Sequence, residues 1–280
     1  MKITKIKPAK AKYRWTRILG ILLAVLYMFP LYIILLNSFK TPRGIFIDIL
    51  GMPFGELGTL ENYSKAYNQL SYFKSFMNSL GITTFSVLAI VVCGCMAAWM
   101  LSRTKSRISS AIFYLFVTAM LIPFQAVMLP LVNMMGKIGF LNPPGLIFMN
   151  LGFSISLAVI MFHGFVKTVP VSLEEAAVIE GAQPPRILFF IISPLMKPII
   201  MTVAVLNTMR IWNDYLLPVL VINREEWRTI PLMIVSFFGQ YSKAWNLALA
   251  GLVMAIVPVV IFYAFAQKSI VNGLMEGAEK

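Results

Sequence analysis

Charge is scarce in this sequence. Only 12% of its 280 residues are Asp, Glu, Lys or Arg, against about a quarter in an ordinary soluble domain. Acidic residues number 11 and histidine occurs once, which leaves little material for carboxylate pairs or imidazole clusters and the acid–base or metal chemistry they serve. Cysteine occurs only at Cys93 and Cys95, one residue apart in an apolar run. That spacing fits neither a CxxC redox pair nor a zinc site, and both are expected to pack as small buried hydrophobes. No GxxxxGK followed by Ser or Thr occurs, so the chain does not hold nucleotide phosphates in the P-loop manner; HExxH and GxSxG motifs are also missing. No catalysis by this chain is expected, and no cofactor or metal in it. No internal repeat, low-complexity tract or soluble linker divides it.

What remains is apolar. Hydrophobic residues make up 59% and the mean hydropathy is +0.81, so the expected solvent is lipid. Runs of spanning length, about 20 residues, occur at Ile18–Asn37, Met77–Leu101, Ala111–Leu131, Leu146–Phe165, Ile199–Ile222 and Leu247–Gln267. The expectation is an all-α bundle of six transmembrane helices over 18–267, with a basic tail at 1–17 and a second tail at 268–280. The net charge of +13 collects at the ends of apolar runs, which suits a membrane surface and not nucleic acid. Ile18–Asn37 is long enough to span and no small-x-small cleavage site follows it, so it reads as a retained first span.

Six spans put both termini on one side. Lys2, Lys5, Lys7, Lys10, Lys12, Arg14 and Arg17 precede the first span without an acidic neighbour, and Arg103, Lys105 and Arg107 fall on the same side. By the positive-inside rule that side is cytoplasmic. The segment Ser38–Phe76, with four basic and three acidic residues and several Gly and Pro turn signals, then lies outside with room for short helices. Ile230–Phe238 is too short to cross and reads as a re-entrant or interfacial piece.

The stretch Val171–Pro198, between the fourth and fifth spans, is more than a connector. Ser172 followed three residues later by Glu175 predicts a capping box and a helix starting at Leu173. Gly181 suits the left-handed helix end, and Pro184 and Pro185 stop that helix while allowing another to begin. Ala176 and Ala177 let a neighbouring surface approach the backbone. Glu175-Ala176-Ala177, Gly181, Ile191 and Pro194 resemble, at the right spacing, the EAA loop of importer permeases of the ATP-binding-cassette (ABC) class. Ser193 replaces the usual Leu, and Glu180 stands where Asp is common. The resemblance implies a coupling helix that docks in a groove on a separate nucleotide-binding subunit, with Glu174, Glu175, Ala176, Ala177, Glu180, Gly181 and Pro194 as its contact residues. The competing reading is an amphipathic surface helix.

Further matches narrow the family. Trp212-Asn213-Asp214-Tyr215, Thr229-Ile230-Pro231, Gly239-Gln240-Tyr241 and the ending Val271-Asn272-Gly273-Leu274-Met275-Glu276-Gly277-Ala278 resemble carbohydrate permeases of the maltose-transporter G type. That resemblance implies the type I importer permease fold and a bacterial inner-membrane location. It also implies a homologous second permease, two ATPase subunits that carry ATP and Mg, an extracytoplasmic solute-binding protein and a sugar cargo. Gly239, Gln240 and Tyr241 would face the binding protein. A self-contained secondary transporter or channel is the alternative. The sequence shows neither the two related halves nor the interrupted spans in matching positions that such a protein usually carries.

Polar residues crowd the expected fifth span. A central Arg or Asp costs about 2.5–3.5 kcal/mol on insertion scales, so Asn207, Arg210, Asn213 and Asp214 should face the bundle interior. Arg210 and Asp214 are spaced as an i, i+4 pair. Two readings stay open for this stripe: a translocation path offering hydrogen bonds to sugar hydroxyls, or a salt bridge locking the span to a neighbour. Trp212 suits stacking on a sugar ring and suits plain packing. His163 is expected to be a hydrogen-bonded packing residue.

Overall fold

The computed structural model describes residues 10–238 and 244–278, with side chains described over 15–238 and 244–267. Regular structure among the described residues is helical: α1 (Lys10–Ser38), α2 (Pro42–Ile47), α3 (Glu61–Gln69), α4 (Tyr72–Arg103), α5 (Arg107–Ala119), α6 (Phe124–Lys137), α7 (Pro143–Val166), α8 (Val171–Ile179), α9 (Pro184–Ile187), α10 (Ser193–Leu195), α11 (Lys197–Trp212), α12 (Leu216–Val221), α13 (Ile230–Val235) and α14 (Trp245–Ala278). Among the described residues four helices are long and apolar enough to cross a bilayer unaided: α1, α4, α7 and α14. The pair α5 and α6, bent by 104°, and the pair made of Pro184–Leu195 with α11, bent by 83°, raise the number to six if each is one crossing.

The third span is therefore interrupted where the sequence suggested a continuous run, and the expected fifth run, Ile199–Ile222, is broken too, between α11 and α12 rather than at the 83° bend. Pro123 explains the first break. It sits in an extended conformation before α6, has no N–H to continue the ladder and disfavours helix at Ile122. In the fifth span α11 stops at Trp212 and a separate α12 starts at Leu216. Pro218 would clash with the carbonyl of Asp214 in an unbroken helix, and the Asp214 carboxylate instead accepts from the N–H groups of Leu216 and Leu217. The expected short elements of 38–76 are present as α2 and α3, and the short apolar piece near 230 is α13, with a proline in its first turn.

The chain forms two compact units, Met1–Gln69 with Phe237–Met254, and Leu70–Ser236 with Ala255–Lys280. In the first, the spanning part of α1 exposes its apolar side chains, while Asn37, Ser38 and Lys40 at its end are buried. Buried polar groups are generally hydrogen-bonded, and apart from Asn37 Oδ1, which has no partner among the described residues, these are. The Asn62 amide donates to the carbonyls of Ser38 and Lys40, Lys40 Nζ donates to the Asp48 carbonyl at 2.6 Å, and the Asn246 amide donates to Asn62 Oδ1.

In the second unit α4 packs along α7 through small residues. A Cβ on Gly94 would lie 3.1 Å from the Ala158 Cβ and 3.2 Å from the Phe162 ring, so glycine is what allows the approach. Ile90, Cys95, Ala98, Val159, Phe162 and Val166 complete this core. Lipid is as apolar as these side chains, so close van der Waals contact holds the helices together where hydrophobic burial does not. Cys95 is buried as expected, but Cys93 is exposed: two residues turn about 200° around a helix, so both cannot share the packed face. His163 is buried and stacks on Phe113 at 4.1 Å.

Candidate functional site

Pro170, extended at φ −58° and ψ 130°, precedes the first helical residue of α8, Val171. Ser172 therefore lies inside the first turn and caps nothing, which corrects the expected capping box. An N-cap side chain reaches the N–H two or three residues on only from an extended backbone, and here Pro170 holds that position without a side-chain donor or acceptor. The other end of α8 is as expected. Gly181 has φ +83°, its N–H donates to the Val178 carbonyl and that of Ala182 to the Ala177 carbonyl, both at 2.9 Å. This is the Schellman closure, which needs a left-handed residue. Extended Gln183 then leads to Pro184 and Pro185 in the first turn of α9. A π-helical turn, Leu188–Ile192, carries Ile191, and Pro194 follows in α10, exposed.

The carboxylate of Glu174 is turned inward. Its Oε1 accepts from Arg103 Nε at 2.8 Å and lies 2.7 Å from Nη2, and its Oε2 accepts from Trp99 Nε1 at 3.0 Å. Arg103 Nη2 also donates to the Val169 carbonyl at 2.9 Å. Trp99 and Arg103 stand four apart on the last turns of α4, so one face of α4 grips both the first turn of α8 and the segment leading into it. Ala177 is buried on the same side. Glu175, Ala176, Val178, Ile179 and Glu180 are exposed, Ile179 to 85%. A cavity of about 560 Å³ opens between Arg103, Lys105, Glu175 and Ile179. Of the expected docking residues, Glu174 and Ala177 thus serve the chain's own packing. Trp99 escaped the sequence reading, and Arg103 entered it only as a topology signal.

The polar stripe of the fifth span is divided. Arg210 Nη2 donates to Ser154 Oγ on α7 at 2.6 Å, while Asp214 holds the start of α12. No ion pair joins Arg210 to Asp214 among the described residues, because the helix that would align them ends at Trp212. Both instead line a cavity of about 360 Å³ with Gln125 and the rings of Phe124 and Phe153. Trp212 faces elsewhere, edge-on to Phe76 at 5.6 Å, in an apolar cavity of about 630 Å³ with Thr208 and Phe262. Asn207 is buried and Asn213 exposed, and each donates its amide to the carbonyl four residues back. Gly239, Gln240 and Tyr241 lie outside the described residues. Among the described residues no three His, Cys, Asp or Glu side chains come together as a metal site would require.

Residues 90–272, more than half of the chain, match the family model described as binding-protein-dependent transport system inner membrane component. The chain belongs to that family. This permease is 50% identical over 94% of its length to the probable starch degradation products transport system permease protein of Thermoanaerobacterium thermosulfurigenes, covering 95% of that protein. It is 32% identical over 96% of its length to the melibiose/raffinose/stachyose import permease protein of Bacillus subtilis, covering 99% of it. Among solved structures, a chain of a bacterial ABC transporter involved in the import of alginate superposes with a TM-score of 0.77 at 20% identity, covering 94% of the permease and 99% of that chain. The all-α importer-permease fold expected from the EAA-like loop is therefore the fold of this permease.

Proposed function

We propose that this permease forms half of the translocation pathway of a bacterial ABC importer for oligosaccharides and is driven through α8. The supporting observation is the two-sided construction of that helix. Its inner side is fastened to α4 by Arg103, Trp99 and Glu174, and its outer side presents Glu175, Ala176, Val178, Ile179 and Glu180 to solvent. A helix held on one side and bare on the other is suited to sit in a groove on another subunit. Lys and Arg at the N-terminus and at Arg103, Lys105 and Arg107 put α8 and both termini on the cytoplasmic side, where two ATPase subunits with ATP and Mg would meet it. A homologous second permease would complete the path, and a solute-binding protein would deliver cargo from outside, with Gly239, Gln240 and Tyr241 facing it. The bacterial plasma membrane is the location this reading requires.

Closure of the ATPase dimer would favour the outward-open state because its groove binds α8 differently in the two states. The cavity between Arg210 and Asp214 offers donors and acceptors at which hydroxyl groups of a passing sugar exchange hydrogen bonds. The relatives' names, starch degradation products and melibiose, raffinose or stachyose, point to oligosaccharides of hexoses. The test is co-purification followed by reconstitution. The permease should bring an ATPase with it, and a binding protein loaded from a panel of maltodextrins and raffinose-type sugars should stimulate hydrolysis. Solute transport by the permease alone in vesicles would overturn the proposal in favour of a secondary transporter.

A further inference from the structure

The loop after α1 carries an exposed apolar surface that the proposed pathway does not account for. Phe46, Ile47, Ile49, Leu50, Met52 and Phe54 are between 52% and 77% exposed, and the stretch Ile49–Gly55 holds no charge. Six large apolar side chains facing water within nine residues would be unfavourable, so something covers them.

The first unit itself limits what that can be. The spanning part of α1 runs Trp15–Ser38, 24 residues; at about 1.5 Å per residue this is about 36 Å, against about 30 Å of hydrocarbon. Ser38 thus stands within a few ångströms of the membrane boundary. The loop is closed at its neck immediately beyond that point: the Thr41 N–H donates to the Leu57 carbonyl at 2.9 Å and the Thr59 N–H to the Phe39 carbonyl at 2.7 Å. Two side chains from the end of α1 then draw the apolar stretch back. The Asn37 amide donates to the Ile49 carbonyl at 3.0 Å and Lys40 Nζ to the Asp48 carbonyl at 2.6 Å. Carbonyls 48 and 49 are therefore tied within one helical turn of the point where α1 leaves the bilayer. The Asp48 carboxylate is occupied by the N–H groups of Leu50 and Gly51, and Arg43 lies exposed on α2, where it can reach a lipid phosphate.

We infer that the segment 43–54 is an interfacial anchor, with Phe46, Ile47, Ile49, Leu50, Met52 and Phe54 resting in the outer edge of the acyl layer and Arg43 at the headgroups. The occupant is lipid of the membrane that α1 crosses, because the ties at Asn37 and Lys40 hold the patch at the boundary. Such an anchor fixes how far α1 sits in the bilayer.

The test places a nitroxide on Ile47→Cys, Leu50→Cys or Phe54→Cys, in a background with Cys93→Ser and Cys95→Ala, in nanodiscs of phosphatidylethanolamine and phosphatidylglycerol. Power-saturation spectroscopy should give a several-fold preference for collision with oxygen over a nickel chelate, and a label on Lys65→Cys the reverse. Equal access of the chelate to all four labels overturns the inference, and so does exclusion of both reagents, which would mean a protein surface covers the patch. A second measurement needs no substitution. The unmodified permease in nanodiscs containing a phosphatidylethanolamine with a photoreactive acyl chain is irradiated and digested with trypsin, which cuts after Arg43 and Lys65. Lipid adducts on 44–65 support the anchor; adducts on 18–40 without any on 44–65 overturn it.

Discussion

Beside α8 and in the fifth span this permease brings an arginine near a carboxylate, and of these two neighbourhoods only the first is an ion pair. At α8, Arg103 and Glu174 lie far apart in the chain and meet at 2.7 Å with side chains 19% and 11% exposed. In the fifth span, Arg210 and Asp214 stand four residues apart and do not pair; each has taken a different partner. Spacing along a helix predicts a pair only while the helix continues, and here it ends at Trp212. The pair that forms is the one that two helices bring together. Its charges have little water, so the geometry carries more weight than it would on a surface.

The largest effect expected from testing this comparison is at the real pair. Breaking a fully buried pair costs about 3–5 kcal/mol, and the remaining exposure of Arg103 and Glu174 puts either Arg103→Met or Glu174→Gln near the lower end of that range. Yield of monodisperse permease and its melting temperature should fall in each single variant. The double variant, which leaves no orphan charge, should recover much of both; absence of recovery would mean the two side chains act separately.

Next come the outward side of α8 and its end. Glu175→Lys should leave yield and melting unchanged while reducing uptake about tenfold or more, the loss of roughly 1.4 kcal/mol of docking. Wild-type uptake in Glu175→Lys would show that α8 docks on nothing through this face. Gly181→Ala meets no neighbouring atom, so its cost is the left-handed backbone alone, about 1–2 kcal/mol, read as a drop in melting temperature.

The fifth-span side chains come next, on a scale comparable with Gly181→Ala. Ser154→Ala removes a hydrogen bond to a guanidinium, worth about 1.5–3 kcal/mol at most, and Asp214→Ala removes a helix-start acceptor worth about 0.5–2 kcal/mol. Arg210 and Asp214 share a cavity without forming an ion pair, so the cycle Arg210→Met with Asp214→Ala should give a coupling energy well below that of Arg103 with Glu174; an equal or larger one would mean that these two charges pair after all. The smallest effect is Ser172→Ala. A capping box would make it cost about 1 kcal/mol; with Pro170 at the N-cap the change in stability should stay within about 0.5 kcal/mol.

Much of the architecture was legible because lipid imposes length. The first, second, fourth and sixth spans followed from runs of about 20 apolar residues, a pattern that requires no knowledge of neighbours. Gly181 and the two prolines after it also announced themselves, since backbone conformation at such residues is local. The interruptions were less visible. Hydropathy averaged over a span is blind to a break at Pro123 or before Pro218, because the window around each keeps enough apolar residues. Cys93 and Cys95 show the same limit: both are small and apolar, and only the packed side of α4 separates them. The family resemblance made Glu174 a docking residue along with Glu175, but one helical step separates a carboxylate facing α4 from one facing solvent.

The sequence by itself determined that this chain is a multi-span helical membrane protein with an EAA-like helix, turn and helix, because composition, span length and the conformational limits of Gly and Pro act over a few residues. The tertiary structure alone decided which charges pair and which side of α8 remains free. Those outcomes depend on the direction of side chains from segments distant in the chain, and a rotation of one residue about a helix, about 100°, is enough to reverse each of them.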